Sequence, residues 1–272
     1  MPELPEVETV RRDLARQVRG RSMSGTEVLN PGSLKGGGPE DLARLVKGRS
    51  FTSFIRRGKY LIMMMDRGLA LVVHLKMTGV IQHQSPGDPL PKAARVIFYF
   101  RDGSRLVFSD LRKFGAIEIT WNPLKLASIR KMGPEPLGKG FSADVLRKRL
   151  AGRKGPIKPL LLDQTVIAGL GNIYASEALH RAGILPQRPA NSLVSAEIGK
   201  LHRAIVRVLK EAIAARGSSV DTYRDGQGKK GWFQVKHRVY DRQGRKCRRC
   251  GGTIVKDTYR GRGTYWCPRC QR

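Results

Sequence analysis

The chain has 272 residues, with 52 basic and 22 acidic side chains, and this length provides for one large domain or two ordinary ones, each with its own core. Apolar runs such as residues 61–65 are far shorter than the roughly 20 residues that cross a bilayer, which excludes a membrane-spanning protein. The net charge of +30 predicts a polyanionic partner, and the last 52 residues alone carry 15 basic and 4 acidic side chains.

The chain opens with a pattern that predicts an amphipathic helix over residues 5–19, ended by Gly20. Its apolar face consists of Val7, Val10, Leu14 and Val18. The acidic, proline-punctuated start lacks the basic and apolar regions of a secretory leader, so we expect the N-terminus to be part of the fold.

Two interpretations fit the first residues. Removal of Met1 would leave the ring nitrogen of Pro2 as a free amine, and an α-amino group is more often neutral at pH 7 than a lysine. With Glu3 as a proton donor, this amine is a candidate nucleophile. Taken alone, however, the prolines and glutamates are explained better by the start of a helix, because acidic residues complement its positive end.

The following segment changes from helix to strand. Residues 39–47 predict a short helix ending at Gly48, and beyond it short apolar runs alternate with turns. The predicted strands are residues 51–56, 60–65, 69–75, 95–100, 105–108 and 116–121. Asp102-Gly103 is a hairpin turn signal, and the series of short strands predicts an antiparallel β-sandwich.

A boundary is expected at residues 133–138, where two prolines and two glycines end the β pattern. Helices are predicted over residues 142–150, 172–182 and 195–216, followed by a mobile, glycine-rich and basic loop over residues 217–231. The fold class is therefore α+β. The predicted domains are a β-sandwich over residues 1–132, a helical domain over 133–235 and a cysteine-rich domain over 236–272.

The chain's four cysteines form two C-x-x-C pairs, Cys247 with Cys250 and Cys267 with Cys270, with 16 residues between the pairs. This spacing predicts one tetrahedral zinc site on a β-hairpin. Four protein ligands close the coordination sphere, so the zinc is expected to be structural. Disulfides are the alternative, which we rank lower because no leader is recognised.

Several motifs suit nucleic acid, each with a simpler alternative. Lys59 stands at a strand entrance, and residues 110–115 interleave Arg112 with Phe114. Met77 is either a wedge between bases or a methionine buried in a strand. Residues 169–172 predict either a phosphate-binding site or a plain turn with Asn172 as the helix cap. Residues 260–264 predict either a phosphate contact made by Arg262 or a polar turn.

Together these features resemble the bacterial formamidopyrimidine-DNA glycosylase family from Pro2 to Gln271. The matching motifs are Pro-Glu-Leu-Pro-Glu-Val-Glu-Thr at residues 2–9, Gly-Lys-Tyr at 58–60, Arg-Lys-Phe-Gly at 112–115, Gly-Leu-Gly-Asn-Ile-Tyr-Ala-Ser-Glu at 169–177 and Arg-Gly-Thr at 262–264. The resemblance implies a catalytic β-sandwich with a leading helix, a helix-two-turns-helix domain with a lesion loop, and a zinc-finger β-hairpin.

The resemblance also implies an activity, that of a bifunctional DNA glycosylase and abasic-site lyase in base excision repair. Pro2 would attack C1′ of an oxidised purine nucleotide and form a Schiff base, with Glu3 as proton donor. Lys59 would assist β-elimination and Arg262 would assist δ-elimination. The implied substrates are 8-oxoguanine and formamidopyrimidines.

The implied partner is double-stranded DNA containing oxidised purines or abasic sites, in the bacterial cytoplasm at the nucleoid and without a membrane. A monomer is expected, because the sequence carries no signal for an oligomer. Met77, Arg112 and Phe114 would fill the gap left by the flipped base. The DNA backbone would be held by Lys154, Lys158 and Asn172, while residues 218–231 would cover the base.

Three positions depart from the family pattern. Ala93 stands where the family commonly has a phosphate-contacting histidine, and Arg95 is a candidate replacement for that contact. Lys76 and Asp241 each stand where the family usually has glycine. These changes are expected to affect the affinity for DNA or the preference for the base opposite the lesion. None of them alters the proposed catalytic groups.

Two alternative functions compete with this one. The endonuclease VIII type, which acts on oxidised pyrimidines, typically begins Pro-Glu-Gly-Pro-Glu, and Leu4 argues against it. A non-catalytic DNA-binding zinc protein would explain the charge and the cysteines equally well. It would not explain a Pro2-Glu3 terminus together with Lys59.

Overall fold

The computed structural model describes residues 1–220, 222–259 and 261–272, so two residues named in the predicted segments, Asp221 and Arg260, lie outside the described residues. The helices are α1 Leu4–Gln17, α2 Pro39–Val46, α3 Ala127–Arg130, α4 Ala143–Leu150, α5 Ile157–Leu162, α6 Asn172–Ala182 and α7 Ser195–Ala214. The strands are β1 Met23–Val28, β2 Leu34–Lys35, β3 Phe51–Arg57, β4 Tyr60–Met65, β5 Ala70–His74, β6 Gly79–Gln84, β7 Ala94–Phe100, β8 Arg105–Asp110, β9 Ala116–Thr120, β10 Val255–Tyr259 and β11 Arg262–Trp266.

The strands before residue 121 form the predicted sandwich. One sheet has the order β1-β7-β8-β6 and is antiparallel, and the other has the order β2-β9-β5-β4-β3, with a parallel pairing only between β2 and β9 among the described strands. The two sheets and α1 contribute to one hydrophobic core. Separately, β10 and β11 form the predicted hairpin near the C-terminus. The α+β class is confirmed.

Helix α1 shows how the apolar pattern determines packing. Val7, Val10 and Leu14 recur at helical spacing and are buried against the sandwich, as predicted. The helix ends at Gln17, however, and not next to Gly20. Val18 is already the C-cap, with φ −126°, because its side chain stays in the core while the chain turns away.

The prediction missed β1, β2, β6, α3 and α5. Most residues of β1 and β6 are only partly buried, and their apolar alternation is weak, so pairing with β7 and β8 defines them as strands. Helix α5 contains Pro159, which sequence reasoning treats as a breaker. Proline is tolerated there because it lies in the first turn, where its amide would have no helical partner.

The chain divides into two compact units, residues 1–130 with 215–232, and residues 131–214 with 233–272. The first unit therefore includes residues 215–232, which the predicted division grouped with the helices. In the second unit α6 packs against α5, α7 and β11, and Val239, Ile254 and Tyr265 form a small core with two of the cysteines. No helix in the described ranges is long and apolar enough to cross a membrane.

Candidate active site and zinc centre

The predicted catalytic residues Pro2 and Glu3 are buried at the start of α1. The Glu3 backbone amide donates a hydrogen bond to Oε2 of Glu6 at 2.8 Å, which caps the helix. The capping interpretation is therefore correct for Glu6. Since the apolar face of α1 is embedded in the sandwich core, the terminus is attached to a rigid element.

The Glu6 carboxylate also binds the glycine-rich loop of the same unit. Its Oε1 accepts a hydrogen bond from the Ser218 backbone amide at 2.7 Å, and the Glu6 carbonyl accepts one from the Tyr223 hydroxyl at 3.4 Å. Gly217 has φ +83°, and a Cβ there would lie 2.8 Å from Glu6 Oε1. One carboxylate thus positions both the residue after Pro2 and the start of the loop, a role that sequence reasoning missed.

A second contact holds the loop through an arginine that joins two buried carboxylates. Asp13 of α1 and Asp225 of the loop are fully buried, and both accept hydrogen bonds from the Arg216 guanidinium. Burial opposes the charge of Arg216, but its hydrogen bond to Asp225 and the two carboxylate charges outweigh burial and raise its pKa. Asp225 also accepts from the backbone amides of Gln227 and Lys229 at 2.9 Å. The loop that the glycines predict to be mobile is therefore anchored to α1.

Lys59 lies in the two-residue turn between β3 and β4 and is only 7% exposed. Gly58, the first residue of that turn, has φ +56°, a conformation that favours glycine. The strand register places His74 opposite Tyr60, and the two rings meet edge to face with centroids 4.5 Å apart. Lys59 is thus close enough to His74 for its charge to lower the pKa of that histidine, to which sequence reasoning gives no functional role.

His74 is held neutral in this setting. Burial lowers its pKa to about 3, and the positive charges of Lys76 and Lys59 contribute to the same shift. Its Nδ1 accepts a hydrogen bond from the Lys76 amide at 2.9 Å. The ring proton is therefore on Nε2, which makes His74 a hydrogen-bond donor, and nothing in its sequence neighbourhood indicates this.

The three predicted wedge residues lie on two turns that share one buried carboxylate. Asp110 accepts hydrogen bonds from the Thr78 hydroxyl, from the Arg112 amide at 3.3 Å and from the Gly115 amide at 2.6 Å. The turn bearing Met77 is thereby tied to the turn bearing Arg112 and Phe114. Asp110 was not among the predicted site residues.

All three wedge residues point to the surface. Met77 is 38% exposed, so the alternative of a methionine buried in a strand is wrong. Phe114 is 55% exposed, and the Arg112 guanidinium carbon lies 4.9 Å from the centroid of its ring. An exposed aromatic ring with a stacked cation has the shape and charge to insert beside DNA bases.

Two of the residues that depart from the family pattern share an unusual backbone conformation. Lys76 has φ +51° and Asp241 has φ +55°, a left-handed backbone conformation in which glycine is the residue without strain. Arg95 donates from Nε to the carbonyl oxygen of Asp110 at 2.9 Å. The proposed replacement for the missing histidine therefore supports the turn that carries Arg112.

In the second unit, three predicted site residues meet at Gly263 in the zinc hairpin. The Lys158 ammonium and the Asn172 amide both donate to the Gly263 carbonyl oxygen, at 2.9 and 3.0 Å, and Lys158 also contacts the Thr264 hydroxyl at 3.0 Å. Arg262 is the exposed residue just before Gly263. We call this set of contacts, from Lys158 and Asn172 to Gly263 and Thr264, the Gly263 clamp.

The Gly263 clamp changes the interpretation of two residues. Lys158 is buried and its ammonium group contacts the hairpin. Asn172 is the first residue inside α6, whose cap is Gly171, so the alternative of an Asn172 helix cap is wrong. Lys154 is exposed in the loop before α5. The predicted DNA contacts of these residues remain predictions.

The four cysteines converge as predicted. Their Sγ atoms all lie within 4.8 Å of one another, with Cys250 to Cys267 at 3.5 Å and Cys247 to Cys270 at 3.8 Å. These separations are too long for disulfides, whose S–S bond is about 2.05 Å, which excludes that alternative. A tetrahedron of zinc–sulfur bonds of about 2.3 Å has S···S edges of about 3.8 Å, so the donor set fits zinc.

Two residues of α6 support this centre. His180 Nε2 lies 3.4 Å from Cys247 Sγ. The fully buried carboxylate of Glu177 accepts hydrogen bonds from three consecutive backbone amides, those of Arg238, Val239 and Tyr240, at 2.9 to 3.0 Å. Glu177 thereby attaches the segment before the cysteines to α6, a role hidden in the motif at residues 169–177.

Three family models match the chain. They are the formamidopyrimidine-DNA glycosylase N-terminal domain over residues 1–117, the formamidopyrimidine-DNA glycosylase H2TH domain over residues 132–224, and the zinc finger found in FPG and IleRS over residues 244–272. The last match, with the geometry of the four cysteines, confirms the prediction of one structural zinc ion.

Curated relatives cover the whole chain. Formamidopyrimidine-DNA glycosylase of Desulfitobacterium hafniense is 45% identical over 273 residues, with 100% of both chains covered. The protein of the same name from Chloroflexus aurantiacus is 42% identical and covers 100% of this chain and 98% of its own length.

Solved structures agree over the same extent. The Lactococcus lactis Fpg in complex with DNA containing an abasic site is 39% identical, covers 99% of both chains and has a TM-score of 0.93. The structure of MutM in complex with carbocyclic 8-oxo-G containing DNA is 38% identical, covers 100% of both chains and has a TM-score of 0.91. The chain therefore belongs to the formamidopyrimidine-DNA glycosylase family, whose members are DNA glycosylases that act on damaged bases.

Proposed function

We propose that this protein excises oxidised purines, namely 8-oxoguanine and formamidopyrimidines, from duplex DNA and then cleaves the strand at the resulting abasic site. The observation that carries the proposal is the buried Pro2-Glu3 start of α1, whose position is fixed through Glu6. Relatives in complex with DNA containing Fapy-dG, an abasic site or carbocyclic 8-oxo-G support the substrate class.

The proposed reaction requires the removal of Met1, which frees the ring nitrogen of Pro2 as a secondary amine. In its neutral form this nitrogen forms a bond to C1′ while the glycosidic bond breaks. The base leaves with the bonding electron pair and takes up a proton. The Pro2 nitrogen loses its proton, the C1′–O4′ bond opens, and Glu3 protonates O4′ to leave an iminium between Pro2 and C1′. The burial of Glu3 beside this nitrogen supports its role in proton transfer.

The iminium then acts as an electron sink for strand cleavage. Loss of a proton from C2′ expels the 3′ phosphate by β-elimination, for which we propose Lys59 as the assisting cation. A second proton loss, from C4′, expels the 5′ phosphate by δ-elimination, and we assign that step to Arg262. The exposure of Arg262 beside the Gly263 clamp supports this assignment, because the clamp fixes the backbone that presents its guanidinium.

For DNA binding, we propose that Met77, Arg112 and Phe114 fill the space of the extruded base, because their two turns are tied together by Asp110. Lys154 and Asn172 are proposed to contact the DNA backbone. Lys158 is proposed to act on the backbone through the Gly263 clamp, since its ammonium is engaged there.

We further propose that residues 1–132 form the catalytic β-sandwich domain of a monomer, residues 133–235 a helical DNA-binding domain that carries the lesion loop, and residues 236–272 a zinc finger. The bacterial relatives support action on nucleoid DNA in the cytoplasm.

The test is borohydride trapping on a duplex carrying one 8-oxoguanine opposite cytosine, followed by mass analysis of the attachment site. We expect a covalent adduct on Pro2. The Pro2→Gly variant should retain lesion binding and lose most base excision, whereas Pro5→Ala, in the same turn, should retain both.

Other outcomes would change the proposal. An adduct on an abasic duplex alone would retain the lyase activity and overturn the assigned lesion. No adduct on either duplex would overturn the enzymatic proposal and favour a binding-only zinc protein. Unchanged turnover of Pro2→Gly would remove Pro2 from the mechanism.

A further inference from the structure

The second unit carries a strongly basic cleft that the proposed reaction does not use. One wall is formed by Arg181 of α6 together with Lys200, Arg203 and Arg207 of α7, and Arg238 closes it. The adjoining cavity shares Arg181 and Arg238 and adds Lys236, Arg248, Arg249 and a single carboxylate, Glu211. We call the two together the Arg181 cleft. Its described lining residues include eight basic side chains and one acidic side chain.

Arg181 distinguishes this cleft from an ordinary basic surface. Its side chain is only 8% exposed, and its guanidinium contacts Oε2 of Glu211 at 2.8 Å. The remaining guanidinium atoms Nε and Nη1 are buried and have no hydrogen-bond partner among the described residues. Buried donors without partners are costly, so an acceptor from outside the described residues is favoured at Nε and at Nη1. Carboxylate oxygens are strong acceptors for a guanidinium.

The exposed wall of the cleft has no evident structural purpose. Lys200, Arg203 and Arg207 recur at helical spacing along one stripe of α7, and all three are exposed. Like charges three or four residues apart destabilise an isolated helix. Arg207 is paired with Glu211 at 2.9 Å, which leaves the cations at the other end of the stripe available to an anion.

The cleft is separated from the residues predicted to contact DNA in this unit. Arg181 and Asn172 are both in α6, nine residues apart, which corresponds to about 13 Å along a helix axis. The Gly263 clamp is therefore at the first turn of α6 and the Arg181 cleft at its last turn.

The lining chemistry discriminates between classes of anion. Single-stranded nucleic acids bind on aromatic stacking platforms, and the described lining residues include no aromatic side chain. A duplex is too wide and stiff to bring a phosphate to a guanidinium that is nine-tenths buried. A carboxylate on a flexible chain reaches it, and Glu211 already occupies one edge of the guanidinium in this way.

We propose that the Arg181 cleft binds an acidic peptide segment of a partner protein. Carboxylate oxygens of the peptide accept hydrogen bonds from Nε and, separately, from Nη1 of Arg181, and neighbouring carboxylates pair with Lys200 and Arg203 on one side and with Arg248 and Arg249 on the other. The interaction docks the enzyme onto that protein from a surface separate from the predicted DNA contacts of this unit.

The test uses the full zinc-bound chain and a fluorescein-labelled peptide of alternating aspartate, glutamate and glycine residues, with anisotropy measured at physiological salt. The test variant is Lys200→Glu with Arg203→Glu. The matched control is Lys148→Glu with Lys210→Glu, which makes the same change in net charge at exposed positions of α4 and α7 outside the cleft lining. We expect the test variant to weaken binding roughly tenfold or more and the control less than about twofold.

Three outcomes would overturn the proposal. Equal losses in the two variants would mean bulk charge attraction. Full displacement of the peptide by an undamaged duplex at equal salt would mean that the cleft is a nucleic-acid site. Unchanged peptide affinity in Arg181→Met, with an unchanged melting temperature, would remove the buried guanidinium from the site.

Discussion

Gly217 offers a direct test of how the glycine-rich loop positions the catalytic terminus. Its φ of +83° is a left-handed conformation, and a Cβ would lie 2.8 Å from Glu6 Oε1, 3.0 Å from Glu6 Cγ and 3.1 Å from Tyr223 Cε1. The same Glu6 carboxylate accepts the hydrogen bond of the Glu3 amide. Gly217→Ala should therefore displace a carboxylate on which both the loop and the terminus depend.

The magnitude follows from two contributions. The left-handed conformation costs an L-residue about 1–2 kcal/mol, partly offset by the lower entropy of the unfolded alanine chain. Overpacking against Glu6 and Tyr223 adds about 1–3 kcal/mol. We expect Gly217→Ala to lower the free energy of unfolding by about 2–4 kcal/mol. Gly20→Ala is the control, because Gly20 has φ +77° and a Cβ there would meet no atom within 4 Å, and it should lose only about 1 kcal/mol.

The assays are urea unfolding and single-turnover excision of 8-oxoguanine. Because displacement of a catalytic group by about 1 Å costs up to about 100-fold in rate, we expect a 10- to 100-fold slower excision for Gly217→Ala and an unchanged rate for Gly20→Ala. Equal destabilisation of the two variants, with equal excision rates, would refute the coupling through Glu6.

Three further predictions concern stability. Glu177→Gln should lower the free energy of unfolding by roughly 2–4 kcal/mol, because three charge-assisted bonds become neutral ones and the new amide faces the Arg238 amide. Lys76→Gly should raise it by about 0.5–1 kcal/mol by relieving the left-handed strain at φ +51°. Burial alone raises the pKa of Glu8, but hydrogen bonds from Arg11 and Arg12 outweigh burial and lower it from 4.5 to about 2. The ionised Glu8 carboxylate therefore adds at most about 3 kcal/mol to the free energy of unfolding, fully above pH 4.5 and progressively less as the pH falls toward 2. Between pH 6 and pH 3, the free energy of unfolding of Glu8→Gln should fall less than that of the wild type.

Urea midpoints measure all three effects. A shift below about 0.5 kcal/mol for Glu177→Gln would contradict the anchoring of the segment before the cysteines. Destabilisation by Lys76→Gly would mean that the lysine side chain contributes more than its backbone conformation costs. Parallel pH curves for the wild type and Glu8→Gln would remove Glu8 as a source of acid sensitivity.

Features that depend on local spacing could be predicted from the amino-acid sequence. The apolar face of α1 follows from a 3.6-residue period, the β7–β8 hairpin from Asp102-Gly103, and the zinc centre from two C-x-x-C pairs. The motifs at residues 2–9, 58–60, 112–115, 169–177 and 262–264 together indicated the family. Each of these signals depends on short, regular spacings along the chain, where backbone geometry and ligand chemistry restrict the outcome.

Features that join distant residues became visible only in the folded chain. The Glu6–Ser218 hydrogen bond spans 212 residues and the Lys158–Gly263 bond spans 105. Strands β1 and β6 exist because β7 and β8 supply backbone partners. Arg181 gives no local sign of being a buried guanidinium in a basic cleft. These features have one cause in common. The role of a polar group depends on which partner the fold brings within hydrogen-bonding distance, and the spacing of residues along the chain does not encode that partner.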